Sequence, residues 1–374
     1  MKKTAKIGIL VSGLPPLKIG GTEIATDRMA RHLAERGYEV HIFTRNVRFM
    51  LKGKKRTLAT YEFKNGVNIH RFPCSSVPLF RSITHLLFGL RSLIAVKPDI
   101  IHGQQLIPNG LVAVLAGKLY KKKSVVHARG SELYKTPRPI LKSIVQYVIT
   151  RAHLVLSVSQ EMTHWMKQLW PQIPIHTIPN GIEVRKDFHI KEGKSSVEVI
   201  YVGRLVKEKN IPEALKIIAI LKRKDLLVTL SIIGSGPEEA YLKQLCRDLN
   251  LGNSVKFYGK IPHHQVLHYL LNADVFIFPT RGEGLPNAVL EAMAAGLPIL
   301  AARRSGLREL VRDGVNGYLY PLGERSVAAT RLQTLIENRE KCNAMGIESR
   351  RFAEKYNWTG IIQHLLVLYH RRND

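Results

Sequence analysis

Glu283 and Glu291 stand in PTRGEGLPNAVLEAMAAGLPIL (279–300), where a glycine-rich stretch runs into a helical pattern. Pro286 suits the first position of that helix, because its missing N–H costs nothing there. Leu285 before it has no side-chain acceptor, so the spacing predicts open N–H groups at Asn287, Ala288 and Val289. Open amides at a helix start, behind Gly282 and Gly284, make a site for an anion. Glu291 lies about 7.5 Å further along the axis at ~1.5 Å per residue. That matches the span from a diphosphate to its ribose, whose two vicinal hydroxyls a carboxylate can accept from. The plain alternative is an acidic first turn followed by a core helix. A second segment, VGRLVKEKN (202–210), offers Gly203 and two cations, Arg204 and Lys209, ahead of Pro212 at another helix start. Arginine presents a planar fork to phosphate oxygens and lysine a compact point charge. Fixed cations of this kind stabilise a leaving diphosphate, usually the largest contribution to such catalysis.

Those residues need elements to hold them. Short apolar runs at 6–11, 39–44, 99–102, 124–127, 153–157 and 175–178 read as strands, with a helix over 22–36 between the first two. The pattern repeats with strands at 197–202, 227–233, 254–258, 274–278 and 298–301. Helices fall at 211–222, 237–249, 263–271, 286–295, 324–338 and 341–354. Alternation of this kind predicts parallel sheets with crossover helices. The expected fold is α/β: two Rossmann-like, doubly wound domains facing across a cleft. The first covers 1–182, the second 183–355, and a closing helix over 356–374 returns to the N-terminal domain. Ligands of such sheets bind beyond the carboxyl ends of the strands, which makes the cleft the expected site. His127 ends one strand, in VVHARGSELY (125–134), with Arg129 and Glu132 as cleft-rim or acceptor-binding candidates; packing alone is the other reading of that histidine. Gly20 and Gly21 separate the first strand from its helix, and Gly236 sits in a turn of the second half, IIGSGPEEAYL (232–242).

Glu283, seven intervening residues and Glu291, inside EGLPNAVLEAMAAGLPI, resemble the signature of glycosyltransferase family 4, retaining enzymes of GT-B architecture. VGRLVKEKN is similar to that family's diphosphate segment, and IIGSGPEEAYL to its glycine turn near the nucleotide base. VKFYGKIPHHQVLHYLLNADVFIFPT, DGVNGYLYPLGE and IPNGIE continue the likeness, which is close over 178–360 and looser before it. The resemblance implies a hexosyltransferase that moves a sugar from a GDP- or UDP-sugar to a hydroxyl of a glycan or lipid-linked acceptor. It implies retention by front-face substitution, with no covalent carboxylate and no cofactor or obligatory metal. In that scheme His127, Arg204, Lys209 and Glu283 act at the reacting centre. Gly20, Gly21, Gly203, Gly236, Gly284, Leu285, Asn287 and Glu291 hold the nucleotide sugar. The alternatives are an epimerase of the same architecture, or a basic nucleic-acid-binding protein.

The charge is lopsided. Lys and Arg number 57 against 29 Asp and Glu, for +28 overall. Residues 1–183 hold 28 and 9, net +19; residues 184–374 hold 29 and 20, net +9. Such a field attracts anionic partners. No recognition helix, zinc finger or aromatic RNA-binding string accompanies it, so nucleic acid is not the expected partner. The segment PLFRSITHLLFGLRSLIAVK (78–97) carries apolar residues at helical spacing beside Arg81, Arg91 and Lys97. A crossover helix packed on its own sheet explains the stripe; a peripheral contact with an anionic membrane explains the basic clusters at 48–56 and 121–123. Cys74, Cys246 and Cys342 form no close pair, which fits a reducing cytoplasm. The first apolar run, Ile7 to Val11, is too short for a secretory core or a membrane span.

Overall fold

The computed structural model describes residues 5–15, 20–46, 49–51, 54–56, 58–75, 77–130, 139–184, 196–304 and 306–371. The chain forms two compact units: Met1–Gly181 with Trp358–Asp374, and Ile182–Asn357.

In the first unit the strands are β1 (Lys6–Val11), β2 (Glu39–Asn46), β3 (Phe49–Leu51), β4 (Lys54–Arg56), β5 (Tyr61–Lys64), β6 (Val67–Pro73), β7 (Ile100–Gln104), β8 (Lys123–Ala128), β9 (Leu154–Ser157) and β10 (Ile175–Thr177). Among the described residues they make an eight-stranded sheet of order β10-β9-β8-β7-β1-β2-β6-β5, with β3 and β4 paired apart. All sheet neighbours are parallel except β5 and β6. The central strand β1 is apolar on both sides, as a parallel strand covered by helices must be. Ile7, Ile9 and Val11 join a core beneath the helices Gly21–Glu35 and Trp358–His370, together with Met29, Leu33, Ile362 and Leu365. Leu10 points the other way, into a core with Phe43 of β2, Ile101 of β7, and Leu93 and Val112 from the helices Pro78–Val96 and Leu111–Tyr120.

The closing helix thus packs inside the first unit's core. Its first residue, Trp358, lies so close over Gly181 that a Cβ there would sit 2.3 Å from the indole.

The second unit has β11 (Val197–Val202), β12 (Val228–Ile233), β13 (Val255–Gly259), β14 (Val275–Phe278), β15 (Ile299–Ala302) and β16 (Gly317–Tyr320). They form an all-parallel sheet of order β13-β12-β11-β14-β15-β16. Here the strand order reverses between β11 and β14, the place where open α/β sheets receive ligands. The first unit's reversal falls between β1 and β7. Strands β3, β4, β5, β6 and β16 lie outside the runs expected from sequence. Strand β6, VNIHRFP, mixes buried Val67 and Ile69 with His70 and Arg71, and a search for continuous apolar runs passes over it.

Candidate active site

The segments after β11 and β14 emerge side by side at the second unit's reversal point, and hydrogen bonds fasten them. After β11, the N–H of Leu205 donates to Ser235 O at 3.1 Å and that of Glu238 to Leu205 O at 3.1 Å. The glycine turn after β12 is pressed onto this segment: a Cβ on Gly234 would fall 1.8 Å from Gly203 O, and one on Gly236 2.2 Å from Leu205 O. Only glycine fits where two backbones meet this closely. Close backbone packing therefore accounts for Gly236, and a Cβ on Gly203 would meet the Tyr201 hydroxyl at 2.6 Å.

Lys209 ends a short 3-10 turn, Lys207–Lys209, before the helix Ile211–Lys222. The carbonyl of Glu208 in that turn accepts the N–H of Arg281 at 2.9 Å and the Thr280 hydroxyl at 3.1 Å. The loop carrying Glu283 is thereby held against the turn, and the Lys209 ammonium contacts the Glu283 carboxylate directly. The ammonium also lies 5.1 Å from the centre of the Phe278 ring. Arg204 is exposed. Burial drives the Tyr201 phenol well above its ordinary pKa; the Glu283 charge adds to this and Arg204 opposes it. The structure thus brings Lys209 and Glu283 into contact, while Arg204 is tied to the site through its carbonyl, which accepts from the Tyr201 hydroxyl at 3.1 Å.

On the far side of the loop, Gly306 adopts φ +75°, and a Cβ there would lie 2.2 Å from Gly284 O and 2.8 Å from Glu283 O. The helix that follows is Asn287–Ala294, one residue shorter at its start than expected: Pro286 is the capping residue, with φ −77° and ψ 117°, not the first helical one. Its carbonyl accepts the N–H of Val289 at 3.1 Å. Val289 is accordingly not one of the open amides predicted from sequence, because the first turn tightens to an i→i−3 bond. The Leu285 side chain is buried, and Gly284 and Asn287 are half-buried.

Glu291 faces a partner that sequence reasoning missed. His263, first residue of the helix His263–Asn272, donates through Nε2 to Glu291 Oε1 at 2.8 Å. The carboxylate is 13% exposed and the imidazole 35%. The two residues are distant in sequence, and no local pattern signals the pairing.

In the first unit, Gly20 caps the helix Gly21–Glu35 in an extended conformation. His127 is buried at the end of β8. Its Nε2–H donates to Ile178 O at 3.0 Å, and its ring stacks on His102 with centroids 5.5 Å apart. Burial, reinforced by the charge of Arg129, holds its pKa well below the usual histidine value, so the ring is neutral. Arg129 reaches Gln104 on β7 at 2.8 Å and Asn180 at 2.5 Å. Glu132 lies outside the described residues. At the first unit's reversal point Asn109 donates to Ser12 Oγ at 3.1 Å and is bonded to buried His85 at 2.9 Å.

Residues 19–186 match the family described as Glycosyltransferase Family 4, and residues 184–352 match Glycosyl transferases group 1. The chain is a glycosyltransferase of the GT-B fold. This transferase is 24% identical over 370 residues to the N-acetyl-alpha-D-glucosaminyl L-malate synthase of Bacillus anthracis, with 94% of each chain covered. It is 31% identical over 250 residues to the amylovoran biosynthesis glycosyltransferase AmsK of Erwinia amylovora, covering 62% of this chain and 61% of that one. Among solved structures it is similar to sucrose-phosphate synthase from Thermosynechococcus elongatus, at 19% identity and a TM-score of 0.82 with 98% of each chain covered. It is also similar to Anabaena HepE in complex with UDP, at 18% identity and a TM-score of 0.78, covering 98% of this chain and 99% of that one. Both structural likenesses bear on the GT-B fold.

Proposed function

We propose that this glycosyltransferase moves a hexose from a nucleoside-diphosphate sugar to a hydroxyl of a glycan or lipid-linked acceptor, with retention at the anomeric carbon. The observation that carries the reading is the contact of the Lys209 ammonium with the Glu283 carboxylate at the reversal point of the second sheet. Departure of the nucleoside diphosphate puts negative charge on its terminal oxygens. Lys209 and Arg204 supply fixed positive charge there, where a donor phosphate would share the lysine with Glu283. Glu283 and the backbone after Gly284 hold the sugar hydroxyls, and Glu291, oriented by His263, holds the ribose. UDP and UDP-glucose are the ligands named for the similar HepE structures, which favours uridine over guanosine as the base.

His127 enters this scheme as a neutral ring. Positive charge develops on the sugar as the leaving group departs, and a protonated imidazole nearby would oppose it. The low basicity imposed by burial keeps that penalty away. The scheme routes no step through a metal, because the two cations neutralise the leaving group. We assign the reaction to the cytoplasm, a reducing compartment that suits three cysteines, Cys74, Cys246 and Cys342, spaced far apart in the sequence.

Lys209→Ala tests the reading. With a panel of UDP- and GDP-sugars as donors, turnover should drop by about 10²–10³-fold, the usual cost of removing one transition-state stabiliser. The circular dichroism spectrum should not change. Anomeric configuration, read by proton NMR of the product, should match that of the donor. Transfer by Lys209→Ala at the parent rate would remove the basis of the assignment, and an inverted product would remove retention alone.

A further inference from the structure

The helix Pro78–Val96 is apolar on two sides. One side, with Leu93 and His85 fully buried, faces the sheet. At Gly89 it meets the neighbouring helix Leu111–Tyr120, whose Val112 would lie 3.3 Å from a Cβ there. The other side leaves Phe80, Ile83, Leu87 and Ile94 exposed. At about 100° per residue these four fall within an arc of roughly 80°, and Arg91 lies in the same arc. Packing on the sheet therefore explains only half of the helix's apolar residues.

The same layer extends the pattern. Helix Leu111–Tyr120 exposes Leu119, and Pro139–Arg151, packed beside it, exposes Ile140. Exposure of the six residues runs from 45% at Ile94 to 77% at Ile140. None of the three helices contains an aspartate or glutamate. Their exposed charges are Arg81, Arg91, Lys118, Lys142 and Arg151, all positive. By contrast the helix Gly21–Glu35, on the opposite face of the sheet, carries Glu23, Asp27 and Glu35. Exposed apolar side chains set among cations, without one carboxylate, match a surface that is anionic at its head and apolar just beneath.

We propose that this helical layer of the first unit seats the enzyme on an anionic lipid bilayer, with Phe80, Ile83 and Leu87 entering the headgroup boundary and Arg91 and Lys118 paired with lipid phosphates. The contact is peripheral: among the described residues no helix is long and apolar enough to cross a membrane. The inference stands on the first unit alone and does not depend on which sugar the second unit holds.

Co-sedimentation of the full chain with vesicles tests it. At physiological ionic strength the protein should pellet with phosphatidylglycerol–phosphatidylcholine vesicles and stay in solution with phosphatidylcholine alone. Phe80→Ser, Ile83→Ser and Leu87→Ser combined should lower the partition at least ~10-fold, as should Arg91→Glu with Lys118→Glu, because each set removes one of the two attractions. Unchanged circular dichroism and melting temperature show that both variants are folded, and the charge variant keeps the test open if the apolar one misfolds. Equal partition into both vesicle types, no partition at all, or variants that pellet like the parent would overturn the proposal. So would tight, salt-sensitive binding of a 30-nucleotide RNA by a protein that ignores anionic vesicles.

Discussion

Lys209 and His263 each stand against a glutamate, but the chemistry expected of the two pairs differs. Lys209 answers the additional charge that builds on the diphosphate as the donor breaks, so its loss falls mainly on turnover. His263 answers Glu291, which meets a group present in ground state and transition state alike, so its loss falls on binding. We expect His263→Ala to raise the KM for the nucleotide sugar by about 10-fold, the worth of one charge-assisted hydrogen bond, with kcat little altered. His263→Gln, which keeps a donor at that position, should recover most of the loss. Initial-rate kinetics over donor concentration check this, and a fall in kcat at unchanged KM would show that the imidazole does something other than orient Glu291.

At the scale of elements, the site depends on loops pinned from both sides. The turn before Lys209 grips one edge of the Glu283 loop through the Glu208 carbonyl, and Gly306 rests on the other. Gly306→Ala should therefore cost at least ~1 kcal/mol, since alanine is strained at positive φ, and should also weaken donor binding by moving Glu283. Thermal unfolding with and without nucleotide sugar measures both effects; an unchanged melting temperature and unchanged ligand shift would contradict the argument. Most elements were legible in the sequence because central parallel strands are apolar runs and their crossover helices carry a clear stripe. Strand β6 was not, because Arg71 is buried there through an ion pair with Glu62 at 2.5 Å that compensates its charge. That Lys209 and Glu283 serve one centre was implied in the sequence by the family resemblance. The His263–Glu291 pair was not, since it is set by how a helix start packs beside another helix. The capping role of Pro286 was also invisible, as it turns on one residue's ψ.

The whole molecule distributes its liabilities unevenly. Burial holds His85 at a pKa of about 4 and His102 at about 3, and both belong to the first unit. In the unfolded chain each titrates near 6.5. Above that pH both states are neutral and stability is flat. As pH falls below it, the unfolded chain takes up protons that the folded unit refuses, so stability is lost. At pH 5 each histidine should cost about 2 kcal/mol. Melting followed at pH 7.5, 6 and 5 should show the first unit weakening before the second, and a pH-independent transition would refute this. A last consequence comes from Trp358 resting on Gly181. A ribosome delivers the sheet of the first unit long before the helix that seals one of its faces, and the second unit is finished in between. The nascent protein must therefore carry an open greasy flank through most of its synthesis, and the half translated first is the half that matures last.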